Sequence, residues 1–146
     1  MQDSEAINTY LKIHEDMFIQ SDMNKLRERL VNCTDSQWNS VRFLNLKDPR
    51  SLLLISVFVG IYGVDRFMLG RKGSGIMKLL VCQLAIIAGV ASFFLLLMDV
   101  DEYVEYGIFC LVLFLLGEIW WIIDICLIRR WTKDYNFKLI SHLLNL

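Results

Sequence analysis

The chain has 146 residues, room for one compact domain with a small appendage, and its mean hydropathy of +0.45, nine Phe and four Trp lean apolar. A formal net charge of −1 and a pI near 6.1 argue against nucleic-acid binding driven by charge, and four cysteines without paired spacing argue against a disulfide scaffold. Twenty consecutive residues without a formal charge, from Leu79 to Met98, make about 30 Å of helix, one hydrocarbon thickness, so the composition is that of a membrane protein.

Residues 1–48 are predicted to form a soluble helical region, since residues 1 to 50 mix seven Lys/Arg with eight Asp/Glu. No apolar run follows Met1, so the first apolar stretch is expected to stay in the mature chain. Ile7, Leu11, His14 and Phe18 fall on one helical stripe, with Ala6, Tyr10 and Met17 beside it, which predicts an amphipathic helix. A second helix fits Asp22 to Val31, where Met23, Leu26 and Leu30 share a face. Thr34 and Gln37 have the spacing of a capping box, so a third short helix bearing Trp38, Val41 and Leu44 should follow. These faces predict a small helical core, with a membrane-surface or partner-binding face as the alternative.

Asp48-Pro49 reads as an N-cap followed by Pro at the first helical position, and it opens a membrane region over residues 49–130. The first apolar run, Ser51 to Val64, has fourteen residues, about 21 Å of helix, which is short of a full span. The second runs from Ile76 to Met98, with Lys78 near its entrance where the amine is expected to snorkel. The third, Gly107 to Ile128, contains Glu118 and Asp124. Asp65 to Lys78 holds Arg66, Arg71, Lys72 and Lys78; Arg129, Arg130 and the tail over residues 131–146 are also basic, whereas Asp99 to Tyr106 carries four acids and no base. Basic flanks are retained in the cytoplasm, so the second and third segments form a hairpin with the acidic turn outside and a cytoplasmic tail. The basic residues of the N-terminal region favour the same side, which requires the first segment to re-enter; a thin, tilted third span is the alternative. The predicted fold class is an all-α integral membrane protein: two full transmembrane helices plus a short first membrane segment, preceded by a small helical N-terminal region.

The stretch Gly60-Ile61-Tyr62-Gly63-Val64-Asp65-Arg66-Phe67-Met68-Leu69-Gly70, then Gly75-Ile76-Met77-Lys78-Leu79-Leu80, and later Trp120-Trp121-Ile122-Ile123-Asp124, closely resembles the two-transmembrane (TM-two) domain family. The signature is an Asp-Arg-Phe motif between glycines, a Gly-x-x-Lys-Leu-Leu stretch and a Trp-x-x-Ile-Asp ending. The resemblance assigns Gly60, Gly63, Asp65, Arg66, Phe67, Gly70, Lys78, Trp120 and Asp124 to the family motif. Leu46-Lys47-Asp48-Pro49 and Tyr135-Asn136-Phe137 are similar to the flanks of bacterial members with a helical N-terminal extension. Two departures stand out: Met68 replaces a frequent Tyr, and Val81 to Glu118 intervenes as an inserted hairpin before the Trp-containing helix. The resemblance implies an integral protein of the bacterial inner membrane and supplies no catalytic residues.

A charge at the end of an apolar run needs an opposite charge or a helix end, and because Arg66 and Asp124 both belong to the motif that carries the resemblance, a structural ion pair between them is what the resemblance implies. Glu118 and Asp124 are six residues apart, about 240° around a helix, and so do not converge as a two-carboxylate active site; each reads as an interhelical contact or, alternatively, as a pore-lining acid. Cys33, Cys82, Cys110 and Cys126 with His14 and His142 give no metal-binding spacing, and neither a metal nor a cofactor is expected. The basic Gly70 to Gly75 loop reads as a tight turn with possible headgroup contact, without the strand-to-helix context of a nucleotide loop. Ala85 with Gly89, Ala88 with Ser92 and Ser56 with Gly60 are small-residue pairs compatible with self-association. The expected function is a non-enzymatic membrane anchor or scaffold for an unknown protein partner or for a homo-oligomer; an oligomeric pore or membrane-perturbing effector is the alternative. The expected surroundings are a lipid bilayer, with no nucleic acid.

Overall fold

The computed structural model describes residues 4–98 and 101–144. Among them every regular element is helical: α1 (Ser4–Ile13), α2 (Gln20–Val31), α3 (Asp35–Arg42), α4 (Pro49–Val59), α5 (Val64–Met68), α6 (Lys72–Leu97) and α7 (Asp101–Leu143), with short 3-10 turns at Glu15–Met17 and Gly60–Tyr62. The chain divides into two compact units, one made of residues 1–52 with 128–146 and the other of residues 53–127.

The first unit is built on the stripes seen in the sequence. Ile7, Tyr10 and Leu11 of α1, Leu26 and Leu30 of α2, and Trp38 and Val41 of α3 share one core with Phe18, Ile140 and Leu144. Full burial of an aliphatic or aromatic side chain contributes about 1.5–3 kcal/mol, so these ten residues define the unit's interior. The first stripe is not one helix through Phe18: α1 stops at Ile13, and a 3-10 turn then swings Phe18 inward, leaving it 1% exposed. Thr34 caps α3 by the capping box, its hydroxyl accepting from the Gln37 amide while the Gln37 side chain accepts from the Thr34 amide. Asp48 caps α4, accepting from the amides of Arg50 and Ser51 and from the Ser51 hydroxyl at 2.7 Å.

The division differs from the expected one at the C-terminal end. Residues 131–146 were separated as a tail; as far as Leu143 they continue α7, and Ile128, Thr132, Asn136 and Ile140 bury one stripe of it at four-residue intervals. Asn136, fully buried, accepts from the Lys47 amide at 2.9 Å and donates to the Lys47 and Met17 carbonyls at 2.8 and 3.1 Å. One side chain thereby ties the Leu46 to Pro49 flank to the Tyr135 to Phe137 flank.

In the second unit α6 and the apolar part of α7 run antiparallel. Leu96 lies over Gly107, Phe114 over Gly89, and Ala85 against Gly117, where an added Cβ would sit 2.3 Å from the Ala85 Cβ. Ala85 and Gly89 thus serve packing within the chain. Both helices are long and apolar enough to cross a membrane, with only 17% of the most apolar window of each buried inside the protein. Ile87, Phe93, Leu97, Phe109 and Leu116 are more than half exposed on their outer faces. An apolar exterior of this extent is stable only in apolar surroundings. The acidic turn is described from Asp101 onward, where α7 begins; Asp99 lies outside the described residues.

Candidate functional site

The shorter apolar helix α4 ends in a 3-10 turn, and the chain reverses at Gly63 in the left-handed conformation, φ 71°. A Cβ there would also lie 2.5 Å from the Gly75 carbonyl oxygen, so backbone conformation and close approach both demand glycine. The reversal launches α5, which presents Asp65 and Arg66 to the interior. Phe67 packs over Gly75, where a Cβ would meet its ring at 3.0 Å. Gly70, also left-handed with φ 70°, turns the chain into α6.

Four charges meet in the interior of this unit. Lys78 bridges Asp65 at 2.8 Å and Asp124 at 2.9 Å, and Arg66 pairs with Asp124 through its guanidinium. Asp65 is fully buried, Lys78 and Asp124 are each 2% exposed and Arg66 is 8% exposed. The Ser56 hydroxyl donates to Asp65 at 3.2 Å, and Trp121 Nε1 donates to the Ser56 carbonyl at 3.3 Å. Gly60 keeps the floor open, since a Cβ there would stand 3.2 Å from Ser56 Oγ and 3.6 Å from Lys78 Nζ. Two acids and two bases cancel, and that balance is the condition under which charges persist away from water.

The expected Arg66–Asp124 pair is formed. Lys78 departs from expectation: instead of snorkelling it turns inward and joins both carboxylates. The signal was its spacing, because Gly75, Lys78, Cys82, Ala85 and Ser92 form the buried stripe of α6. Trp120 is 46% exposed, and its neighbour Trp121 makes the interior contact instead. Glu118 stays outside the cluster, half-buried beside a cavity of about 10 Å³ that Ile61, Cys82 and Trp121 also line. Cys82 is buried as packing would have it, whereas Cys126 is exposed. In the other unit, burial pushes the Cys33 thiol up from its ordinary range, away from the thiolate a nucleophile needs.

An all-helical chain with two long, outwardly apolar helices and a neutral buried charge cluster is a membrane protein. Residues 47–97 match the family model of the TM2 domain. The match takes in α4, α5 and α6, and with them Asp65, Arg66 and Lys78, whereas Trp120 and Asp124 lie beyond its end. It also contains Val81 to Leu97, which the sequence reading placed in an inserted hairpin. No curated protein and no solved structure matches the chain.

Proposed function

We propose that this is a two-crossing anchor of a bacterial cytoplasmic membrane, holding a small helical module on one face of the bilayer, where the module meets a protein partner or copies of itself. The observation that carries the reading is the shared core of residues from both sides of the membrane region, Ile7 to Val41 with Ile140 and Leu144. A chain that leaves one compact unit and returns to it crosses the bilayer an even number of times. α6 and α7 supply two crossings, so α4 and α5 re-enter and leave on the same side. The short length of α4, its broken end at Gly63 and the internal partner found for the Ser56 carbonyl all support re-entry. Arg129 and Arg130 on the module's side and the acidic residues at the start of α7 favour a cytoplasmic module. In this reading no reaction is catalysed, and the cluster's carboxylates are committed to cations that lock α5, α6 and α7 together.

The test is labelling with a membrane-impermeant maleimide in intact and permeabilised cells, using single cysteines at positions 36, 106 and 142 in a variant with the four native cysteines replaced. Positions 36 and 142 should be protected together and position 106 labelled from outside. Opposite behaviour of 36 and 142 would refute the even crossing.

A second reading, an oligomeric pore, is favoured by Glu118, which makes no hydrogen bond or ion pair among the described residues although it lies within the apolar stretch of α7. An ion current through liposomes that Glu118→Gln abolishes would support it.

A further inference from the structure

Where α7 leaves its apolar stretch the sequence reads Cys126-Leu127-Ile128-Arg129-Arg130-Trp131-Thr132-Lys133, and the helix continues without a break to Leu143. Ile128 and Thr132 are buried in the first unit, which turns Arg129 and Arg130 outward, both exposed, with Lys133 half-buried between them on the same side. None of these three cations makes a hydrogen bond or ion pair among the described residues. The nearest acid in sequence, Asp134, is engaged by Lys138 at 2.7 Å. Several other cations are engaged: Lys78 and Arg66 in the cluster, Arg50 with Asp16 at 2.6 Å, and Arg29 with the Ser141 hydroxyl at 2.8 Å.

We infer that Arg129, Arg130 and Lys133 form a binding site for the phosphate of an anionic phospholipid headgroup. The inference rests on the membrane reading above, which places this turn of α7 at headgroup depth, within one helical turn of the apolar stretch. Charge complementarity selects an anionic surface, and a guanidinium presents paired donors that match two phosphate oxygens. Trp131 in the same turn is the residue type that favours the boundary between hydrocarbon and water. A free phosphate fits the same donors, but a site beginning at the first residue after an apolar helix meets lipid phosphate first.

The test uses the full chain, delipidated in a mild nonionic detergent and titrated with phosphatidylglycerol or phosphatidylcholine, with retained lipids counted by native mass spectrometry. The wild-type protein should retain phosphatidylglycerol in preference. That preference should fall about fivefold for each charge removed, on the order of a hundredfold in a variant combining Arg129→Gln, Arg130→Gln and Lys133→Gln. A charge-matched control, Lys12→Gln with Arg27→Gln and Arg42→Gln, should keep it. An unchanged preference in the first variant, or an equal loss in the control, would overturn the site. Displacement of the bound lipid by millimolar inorganic phosphate would overturn the lipid as its occupant. Reconstitution into phosphatidylcholine nanodiscs tests the membrane reading separately: all three proteins should insert, and failure of the wild-type protein to do so would overturn that reading instead.

Discussion

Replacing Lys78 by methionine tests whether the cluster is a lock. The side chains are of similar length, so the interior stays filled while the bridging charge disappears. Asp65 then keeps only the Ser56 hydroxyl at 3.2 Å, Asp124 keeps Arg66, and the cluster passes from neutral to an uncompensated negative charge. Breaking a buried ion pair from one side costs about 3–5 kcal/mol, whereas exchanging both partners for neutral groups of similar volume is close to neutral. Lys78→Met should therefore lose about 3–5 kcal/mol, and Asp65→Asn in the same chain should recover most of it, to within about 1–2 kcal/mol of wild type. The assay is reversible unfolding in mixed micelles by titration with sodium dodecyl sulfate, followed by circular dichroism, on the wild type, both single variants and the double variant. A loss below about 1 kcal/mol for Lys78→Met, or a double variant as unstable as the sum of the singles, would refute the reasoning.

Three further outcomes follow from packing, capping and hydrogen bonding. Gly117→Ala should destabilise the α6–α7 hairpin by about 1–3 kcal/mol, because its Cβ would meet the Ala85 Cβ at 2.3 Å, and Ala85→Gly in the same chain should restore stability in the same titration. Asn136→Ala should cost about 2–4 kcal/mol by orphaning the Lys47 amide and two carbonyls, read as a loss of near-ultraviolet dichroism from Trp38. Hydrogen bonds from the Ser51 hydroxyl and the Arg50 amide hold the Asp48 carboxyl below the ordinary 3.8, so its stabilisation is present above that value and is lost as pH falls through the lower folded value. Proton exchange at the Arg50 and Ser51 amides should accelerate in that acid window, and Asp48→Asn should flatten the pH dependence.

Much of the fold was legible because local rules suffice where a residue acts on near neighbours. Thr34 with Gln37 and Asp48 with Pro49 declared their helix starts, and the Leu26 and Leu30 face was buried as its period required. The Arg66–Asp124 pair was legible for another reason: a charge in an apolar run needs a partner, and both residues belong to the motif that carries the family resemblance. Lys78 was misread because a lysine near the start of an apolar helix ordinarily reaches outward, and only the face it shares with Cys82 and Ala85 says otherwise. The helical part of the tail was missed because basic residues such as Arg129 and Arg130 close an apolar run without ending a helix. No Gly or Pro follows them, and Thr132, Asn136 and Ile140 carry the buried stripe onward. Asn136 itself was invisible as a clasp, since its partners are backbone groups 89 and 119 positions away.

The order in which the ribosome delivers these segments now becomes a constraint on biogenesis. Arg66 must wait 58 residues for Asp124, several seconds at the usual pace of translation, and Lys47 waits longer still for Asn136. The nascent chain therefore holds a half-made arrangement, with Asp65 and Lys78 already able to find each other, until its last third emerges. Insertion of this protein is completed from the back, and a stall or truncation before Asp124 leaves an arginine stranded for quality control to recognise.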